Sequence, residues 1–424
     1  MKLRSLLTLG ALSFGLVSAA NAVTTNTVYL TGSTAFRGAI FITMTNTVNG
    51  VFDPGSNVVY VAGKCSSIGT LNPQTGGQME FFSYISATPT IVKCAWSGSE
   101  AGIADVVNGT TESFIDSALL NSVPNSAVTT TYPTPDPHKV DLAMSDTDQS
   151  VSLTQNPPLN NGQQVGIIPF VFVKNAQTNA TTITAIPSDW ANITNVTDPQ
   201  LRVMLSGGSP AGLLTGNNAD TKWVYIAGRD NQSGTFDNTM LGTQFGLVAS
   251  PRQIKLLGAG PSSDYASISP TNLVSGNGAN VAGQNSGGTL STTMTLVGSS
   301  TNIDWIQTKN NHAATFGWYA IAYLGLPDAD VCLGIQGPVV APAGTAAKLT
   351  YNGVAESPNN ISNGTYSFWG NEWLYGANTL SSAATSVFNN LGLNIAVNCD
   401  NDHFLALTFM NSTKTTSASD PTHN

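Results

Sequence analysis

The stretch Lys222–Asp237, KWVYIAGRDNQSGTFD, limits what this chain can build more than any other. Trp223–Ala227 is apolar and rich in β-favouring side chains, so it reads as a short buried strand. The apolar periodicity of Thr235–Val248 reads as a helix, and the turn between the two carries Arg229, Ser233, Gly234 and Thr235. Glycine admits close approach to the backbone, and hydroxyls at a helix start meet N–H groups that have no partner within the helix. Such a start attracts anions, and Arg229 adds a planar fork of donors suited to a tetrahedral oxyanion. An ordinary N-cap beside a surface arginine would leave the same trace.

The layout recurs upstream. Asn26–Leu30 reads as a strand leading into Thr31-Gly32-Ser33-Thr34-Ala35-Phe36, with a helix expected from Ser33 or Thr34 because Phe36, Ile40, Phe41, Met44 and Val48 follow helical spacing. Val58–Ala62 and Ile91–Trp96 read as strands, and Ser97-Gly98-Ser99-Glu100-Ala101-Gly102-Ile103 forms a second turn. A strand at Lys139–Met144 ends in Ser145-Asp146-Thr147-Asp148. Strands alternating with helices predict α/β lobes, whose ligands gather beyond the carboxyl ends of the strands. Pro169 inside the apolar run Val165–Val173 argues against a central strand and for a chain crossing between lobes. Tyr366–Trp373 reads as a second crossing, Ile193–Leu205 and Asn378–Leu391 as helices, Phe404–Phe409 as a strand, Ser262–Asn302 as polar loops or a hairpin, and the residues after Met410 as a frayed tail.

Lys2 and Arg4 precede the apolar run Leu6–Val17, and Ala20-Asn21-Ala22 is a small-residue cleavage site. Residues 1–22 are therefore expected to be a secretory signal, the run being too short for a membrane anchor. A periplasmic or secreted location follows, with no cysteine at the cut to carry a lipid. Cys65, Cys94, Cys332 and Cys399 suit an oxidising compartment. Of three possible pairings, the local one, Cys65 with Cys94 and Cys332 with Cys399, is preferred. Charged residues are 9% of the chain, against about a quarter in ordinary domains, and the net charge of −9 makes nucleic acid a poor partner.

Nucleophile-elbow and zinc-helix motifs are absent, and His138, His312, His403 and His423 are scattered. Asp146-Thr147-Asp148 and Asp400-Asn401-Asp402 do not extend into a calcium loop. No metal, cofactor or enzymatic activity is expected.

Thr31-Gly32-Ser33-Thr34, Ser99-Glu100-Ala101-Gly102-Ile103, Ser145-Asp146 and Arg229-x-x-x-Ser233-Gly234-Thr235 fall in the order found in the periplasmic phosphate-binding proteins of ABC transporters. The chain resembles a divergent member of that type II periplasmic binding-protein superfamily over most of residues 26–410. The resemblance implies two α/β lobes, each a mixed sheet flanked by helices, with a ligand cleft between them. Lobe I is expected at 23–168 plus 370–412, lobe II at 169–369, and a polar tail at 413–424. It further implies that Ser33, Thr34 and Ala35, Ser99, and Arg229, Ser233, Gly234 and Thr235 hold the anion, and that Asp146 accepts a hydrogen bond from a protonated phosphate oxygen, against which sulfate is rejected. The implied partners are inorganic phosphate or a similar oxyanion and an ABC permease, with the protein a monomer. Two departures stand out. Glu100 occupies a place where the family has Ser or Gly; turned inward it repels an anion, turned outward it complements the helix start. Arg37 either pairs with Glu100, reaches the ligand, or lies in solvent. The alternative function is a cell-surface or structural protein that kept the fold and lost the anion.

Overall fold

β-Branched and aromatic residues alternate along Asn26–Gly32 (β1), putting Val28 and Leu30 into one core while Tyr29 packs on the opposite face. In this computed structural model the described residues are 25–65, 74, 76–128, 136–175, 188–219, 223–247, 251, 253, 283–296, 319–335, 346–400, 403–416 and 419–423. The expected signal at 1–22 lies outside them, as do His312 and much of Ser262–Asn302.

The architecture is mixed α/β, a large mixed sheet flanked by helices. In chain order its strands are β1, Val59–Cys65 (β2), Gly76–Ile85 (β3), Thr88–Ala95 (β4), Ser126–Val128 (β5), Leu142–Ser145 (β6), Asn161–Asn175 (β7), Ser209–Pro210 (β8), Trp223–Ala227 (β9), Tyr319–Gly325 (β10), Ala346–Lys348 (β11) and Trp369–Gly376 (β12). They lie in the order β8-β9-β10-β7-β12-β6-β1-β4-β3-β2-β5, with β11 beside β7. β1 runs parallel to both β4 and β6, so these three strands deliver their carboxyl ends to one edge.

The helices used below are Arg37–Thr45 (α1), Ser99–Asn108 (α2), Asp198–Leu205 (α3), Gly234–Gly242 (α4), Gly287–Leu296 (α5), Leu326–Leu333 (α6) and Ser382–Asn398 (α7). α1 and α7 pack against each other over the face bearing Val28 and Leu30, whereas Val106 of α2 joins the core on the other face.

Several expectations change. α1 starts at Arg37, because Gly32 adopts φ +109° and the Ser33 N–H is spent on the Met144 carbonyl (2.8 Å), which keeps 33–36 as a turn. α4 stops at Gly242 rather than Val248; positive φ at Gln244 and Gly246 ends it. Only Asp198–Leu205 of Ile193–Leu205 is helical, set by a Thr197/Gln200 capping box. Gly287–Leu296 is a helix where loops were expected. Phe404–Phe409 supplies a single bridge, Leu405 to Ile167, and a 3-10 turn instead of a strand.

Pro169 does lie within a central strand. Up to Pro169, β7 pairs with β12; from Phe170 onward it pairs with β10, so the missing N–H falls where one ladder hands over to the next. The tail does not simply fray: Ser412–Thr413 pairs with Thr422–His423, and the buried Lys414 ammonium donates to the carbonyls of Ser367 (2.7 Å) and Trp369 (2.8 Å).

Neither expected disulfide forms. Cys94, Cys332 and Cys399 take part in no disulfide; Cys332 is buried among Leu290, Met294 and Leu324, while Cys399 packs on a different core.

The handover at Pro169 is held by aromatic packing. Phe368 stacks on Phe172 (4.5 Å between centroids) and tilts against Phe170 and Tyr351. Phe368→Ala should lower the unfolding free energy by about 3–5 kcal/mol, measured by urea denaturation.

Candidate functional site

Four turns meet at the carboxyl ends of β1, β4, β6 and β9. Gly98 N–H donates to Gly32 O (2.9 Å), Ser33 N–H to Met144 O (2.8 Å), and Glu100 N–H to Gln232 O (3.1 Å), so each turn is pinned to another. At Gly32 and at Gly98, both with φ +109°, a Cβ would come within 2.0 Å of Met144 O and 2.4 Å of Gln232 O. Glycine is required at both.

The centre of the junction is Asp146. Its carboxylate is buried, with Oδ1 accepting from Ser99 Oγ and Oδ2 from Thr235 Oγ1 (3.4 Å); its main chain is bound by Ser99 Oγ (3.3 Å to N) and Asn238 Nδ2 (2.7 Å to O). Burial pushes its pKa upward, while the Ser99 hydroxyl and then the Arg229 charge pull it back. Oδ1 lies 1.6 Å from where a Gly234 Cβ would stand, so only glycine lets this carboxylate reach the start of α4. Ser233 caps that helix, accepting from Phe236 N–H (3.4 Å).

Arg229 is buried. Its Nε donates to Gln284 O (3.1 Å), Nη2 donates to Asn285 O (3.4 Å), and its charge acts on both Asp146 and Asp328. Arg37 is not a surface arginine and is paired with Asp328 (3.5 Å), not with Glu100. Asp328 lies against the start of α5, its Oδ2 within 1.9 Å of a Cβ built on Gly287. Burial raises the Asp328 pKa, and Arg37 then Arg229 counter it.

Of the residues expected to contact a ligand, Ser99 and Thr235 each hydrogen-bond to Asp146. Gly234 abuts Asp146, Ser233 caps the same helix, and Arg229 acts through its charge. Ser33 joins through its backbone. Thr34 and Ala35 are buried in the turn before α1, and among the described residues neither the Thr34 hydroxyl nor the Ala35 N–H bonds to Ser99, Asp146 or Arg229.

Glu100 turns inward, at 4% exposure. Its Oε2 accepts from Leu153 N–H (2.8 Å), and its other oxygen faces Asp237, whose Oδ2 accepts from Thr147 Oγ1 (3.2 Å). Glu100 Oε1 and Asp237 Oδ1 are buried with no donor group bonded to either, so the pair retains a proton between them. Both are raised by burial, Asp237 further by the facing Glu100.

The sequence did not nominate Asp237, Asp328 or Glu372. Glu372 is a lone charge between tryptophans in Trp369-Gly370-Asn371-Glu372-Trp373, and in a chain with 9% charged residues that contrast is the available signal; Asp237, among Thr and Asn, and Asp328, two residues from Asp330, carry none. Among the histidines, His403 is buried, its ring nitrogens on Asp400 and Asp330 (2.8 Å each), which push it up to about 10 against the opposing effect of burial. His138 stacks on Tyr29. Among the described residues no group of three or more His, Cys, Asp or Glu is placed to hold a metal ion, and no helix is long and apolar enough to cross a membrane.

No family model and no curated protein matches the sequence. Among solved structures the chain is similar to a putative phosphate ABC transporter substrate-binding protein with bound phosphate from Clostridium perfringens (12% identity, 90% of this chain and 100% of that one, TM-score 0.46). It is also similar to PstS from Borrelia burgdorferi (14%, 90% and 98%, TM-score 0.36) and to an ABC-type phosphate transport receptor from Vibrio cholerae (14%, 86% and 93%, TM-score 0.41). At that identity the likeness brings no residue assignment with it.

The Glu100–Asp237 pair gives the site a pH signature. Carboxyls whose folded pKa is raised contribute stability that is full below the unfolded value, 3.8 for Asp237, and is lost as pH climbs through the raised folded value. The melting temperature should therefore fall as pH rises from 5 to 9, and Asp237→Asn should flatten that slope in a thermal-shift series.

Proposed function

We propose that this chain is an exported solute-binding protein that captures inorganic phosphate, or a related protonated tetrahedral oxyanion, where the four turns meet. One observation carries the reading: the Asp146 carboxylate, itself an oxyanion, already receives the Ser99 and Thr235 hydroxyls under the charge of Arg229. Groups that hold one buried oxyanion suit another of similar size. A ligand bearing a P–O–H would take these hydroxyls and donate to Asp146, whereas sulfate would present only acceptors to it. In this reading the halves 23–168 plus 370–412 and 169–369 close as lobes, Glu100 N–H to Gln232 O is one of the bonds that closure makes, and a monomer delivers its ligand to an ABC permease.

Isothermal titration of the chain lacking residues 1–22 should give heat with phosphate and none with sulfate at pH 7. Asp146→Asn should narrow the difference by admitting sulfate. No heat and no thermal shift with any oxyanion would remove the proposal.

A second reading has its own support: a cell-surface or structural protein on the same fold, without a ligand. Glu100 and Asp237 set two further carboxyls beside Asp146, and the Glu100 N–H is committed to Gln232 O. Phosphate binding that appears in Glu100→Ser and is absent from the parent would decide for it.

A further inference from the structure

β12 carries a group that no hydrogen bond accounts for. Glu372 is 0% exposed, and neither carboxyl oxygen has a hydrogen-bond partner. Its strand places it. Gly370, two residues earlier and on the same face, points at the Asp146 carbonyl and the Asn238 amide, 2.9 and 3.0 Å from where its Cβ would be. Trp373, the next residue, pairs with Ser145 of β6. Glu372 therefore projects beneath Asp146, and the Ser33 hydroxyl lies beside it, buried and also unpartnered.

A carboxylate shut off from solvent, with one hydroxyl beside it and the Asp146 charge nearby, is too costly to persist as an ion, so this side chain is a neutral acid that carries one O–H to give. Burial raises its pKa and the Asp146 charge from the end of β6 adds to it, while the Ser33 hydroxyl from the turn after β1 opposes. The Cys399 thiol after α7 is close enough for the Glu372 charge to act on it. Arg229 is engaged with Asp146 and Asp328.

We infer that Glu372, as a neutral carboxylic acid, and Ser33 form an additional donor wall of the anion site, giving hydrogen bonds to the oxyanion from beneath Asp146. This rests on the oxyanion reading above and extends it. Asp146 accepts from the ligand while Glu372 and Ser33 donate to it, so the same ligand is held by one ionisable acceptor and one ionisable donor. Binding then requires Glu372 to keep its proton, and affinity falls once it ionises.

Phosphate affinity measured by titration calorimetry between pH 6 and 9.5 tests this on the parent, Glu372→Gln and Glu372→Leu, with melting curves to confirm folding. Gln keeps a donor that does not titrate; Leu removes it. Glu372→Leu should bind about tenfold more weakly at pH 6, the worth of one lost hydrogen bond to a charged acceptor. Glu372→Gln should bind within about threefold of the parent at pH 6 and lose less affinity above it. Parent and Gln profiles that overlay, or a folded Leu variant with parental affinity, overturn the inference while leaving the oxyanion reading intact. A parent that binds no phosphate at any pH overturns both. If Leu fails to fold, the Gln comparison decides alone.

Discussion

Everything at the site depends on three backbone hydrogen bonds between turns that are far apart in sequence: Gly98 to Gly32, Ser33 to Met144, and Glu100 to Gln232. The parallel register of β1 with β4 and β6 brings the first three turns to the same edge, but register alone leaves their tips free. Glycine at 32 and 98 permits the final approach, since any side chain there would strike the carbonyl that accepts the bond. Once the tips are pinned, Ser99 and Asp146 have little choice of neighbour. The hydroxyls of the fourth turn then arrive through Gln232, a contact between α2 and the segment that starts α4.

With the turns locked, an unusual electrostatic situation follows. A chain that is 9% charged places Glu100, Asp146, Asp237, Asp328 and Glu372 in its interior with Arg37 and Arg229. Two guanidinium groups do not neutralise five carboxylates, and desolvation forbids the remainder from staying ionised. Glu372 and the Glu100–Asp237 pair, raised by burial and by neighbouring acids, therefore hold protons, while Asp146 and Asp328 feel the Arg229 charge. Buried groups of this kind seldom add stability.

Much of the fold was legible because hydrophobic periodicity is local. Trp223–Ala227 is the strand anticipated, and β1 and β4 differ from expectation only at their ends. Boundaries went astray where a tertiary hydrogen bond outweighs local preference, as when Met144 O takes the Ser33 N–H and delays α1. Pro169 was expected to exclude a central strand; that β7 accommodates it by changing partners there is something no short window contains. Disulfide pairing depended on which core each cysteine enters, equally non-local. At the site, residues in turn motifs were visible, whereas Asp237, Asp328 and Glu372 lie in ordinary helix or strand, where an acid reads as a surface residue. The inward turn of Glu100 follows from Leu153 N–H and Asp237, both distant in sequence.

Two helix starts in this region already have an acid of their own. Asp146 presses on Gly234 at α4, and Asp328 presses on Gly287 at α5; in both cases only the missing Cβ allows the contact. The positive end of a helix favours a carboxylate as readily as a phosphate, so these acids are internal competitors for any external anion. They are not equal competitors. Asp328 is held by Arg37 and sits in the field of Arg229, which leaves it little reason to yield. Asp146 is held by two hydroxyls that can rotate towards another acceptor, one of them at 3.4 Å, and it is the acid whose neighbours include the unpartnered Ser33 and Glu372. In the proposed oxyanion reading, exchange of an external anion is therefore easiest at Asp146, and the ligand that exchanges best is one that leaves Asp146 with a proton donor in return for the hydroxyls it gives up.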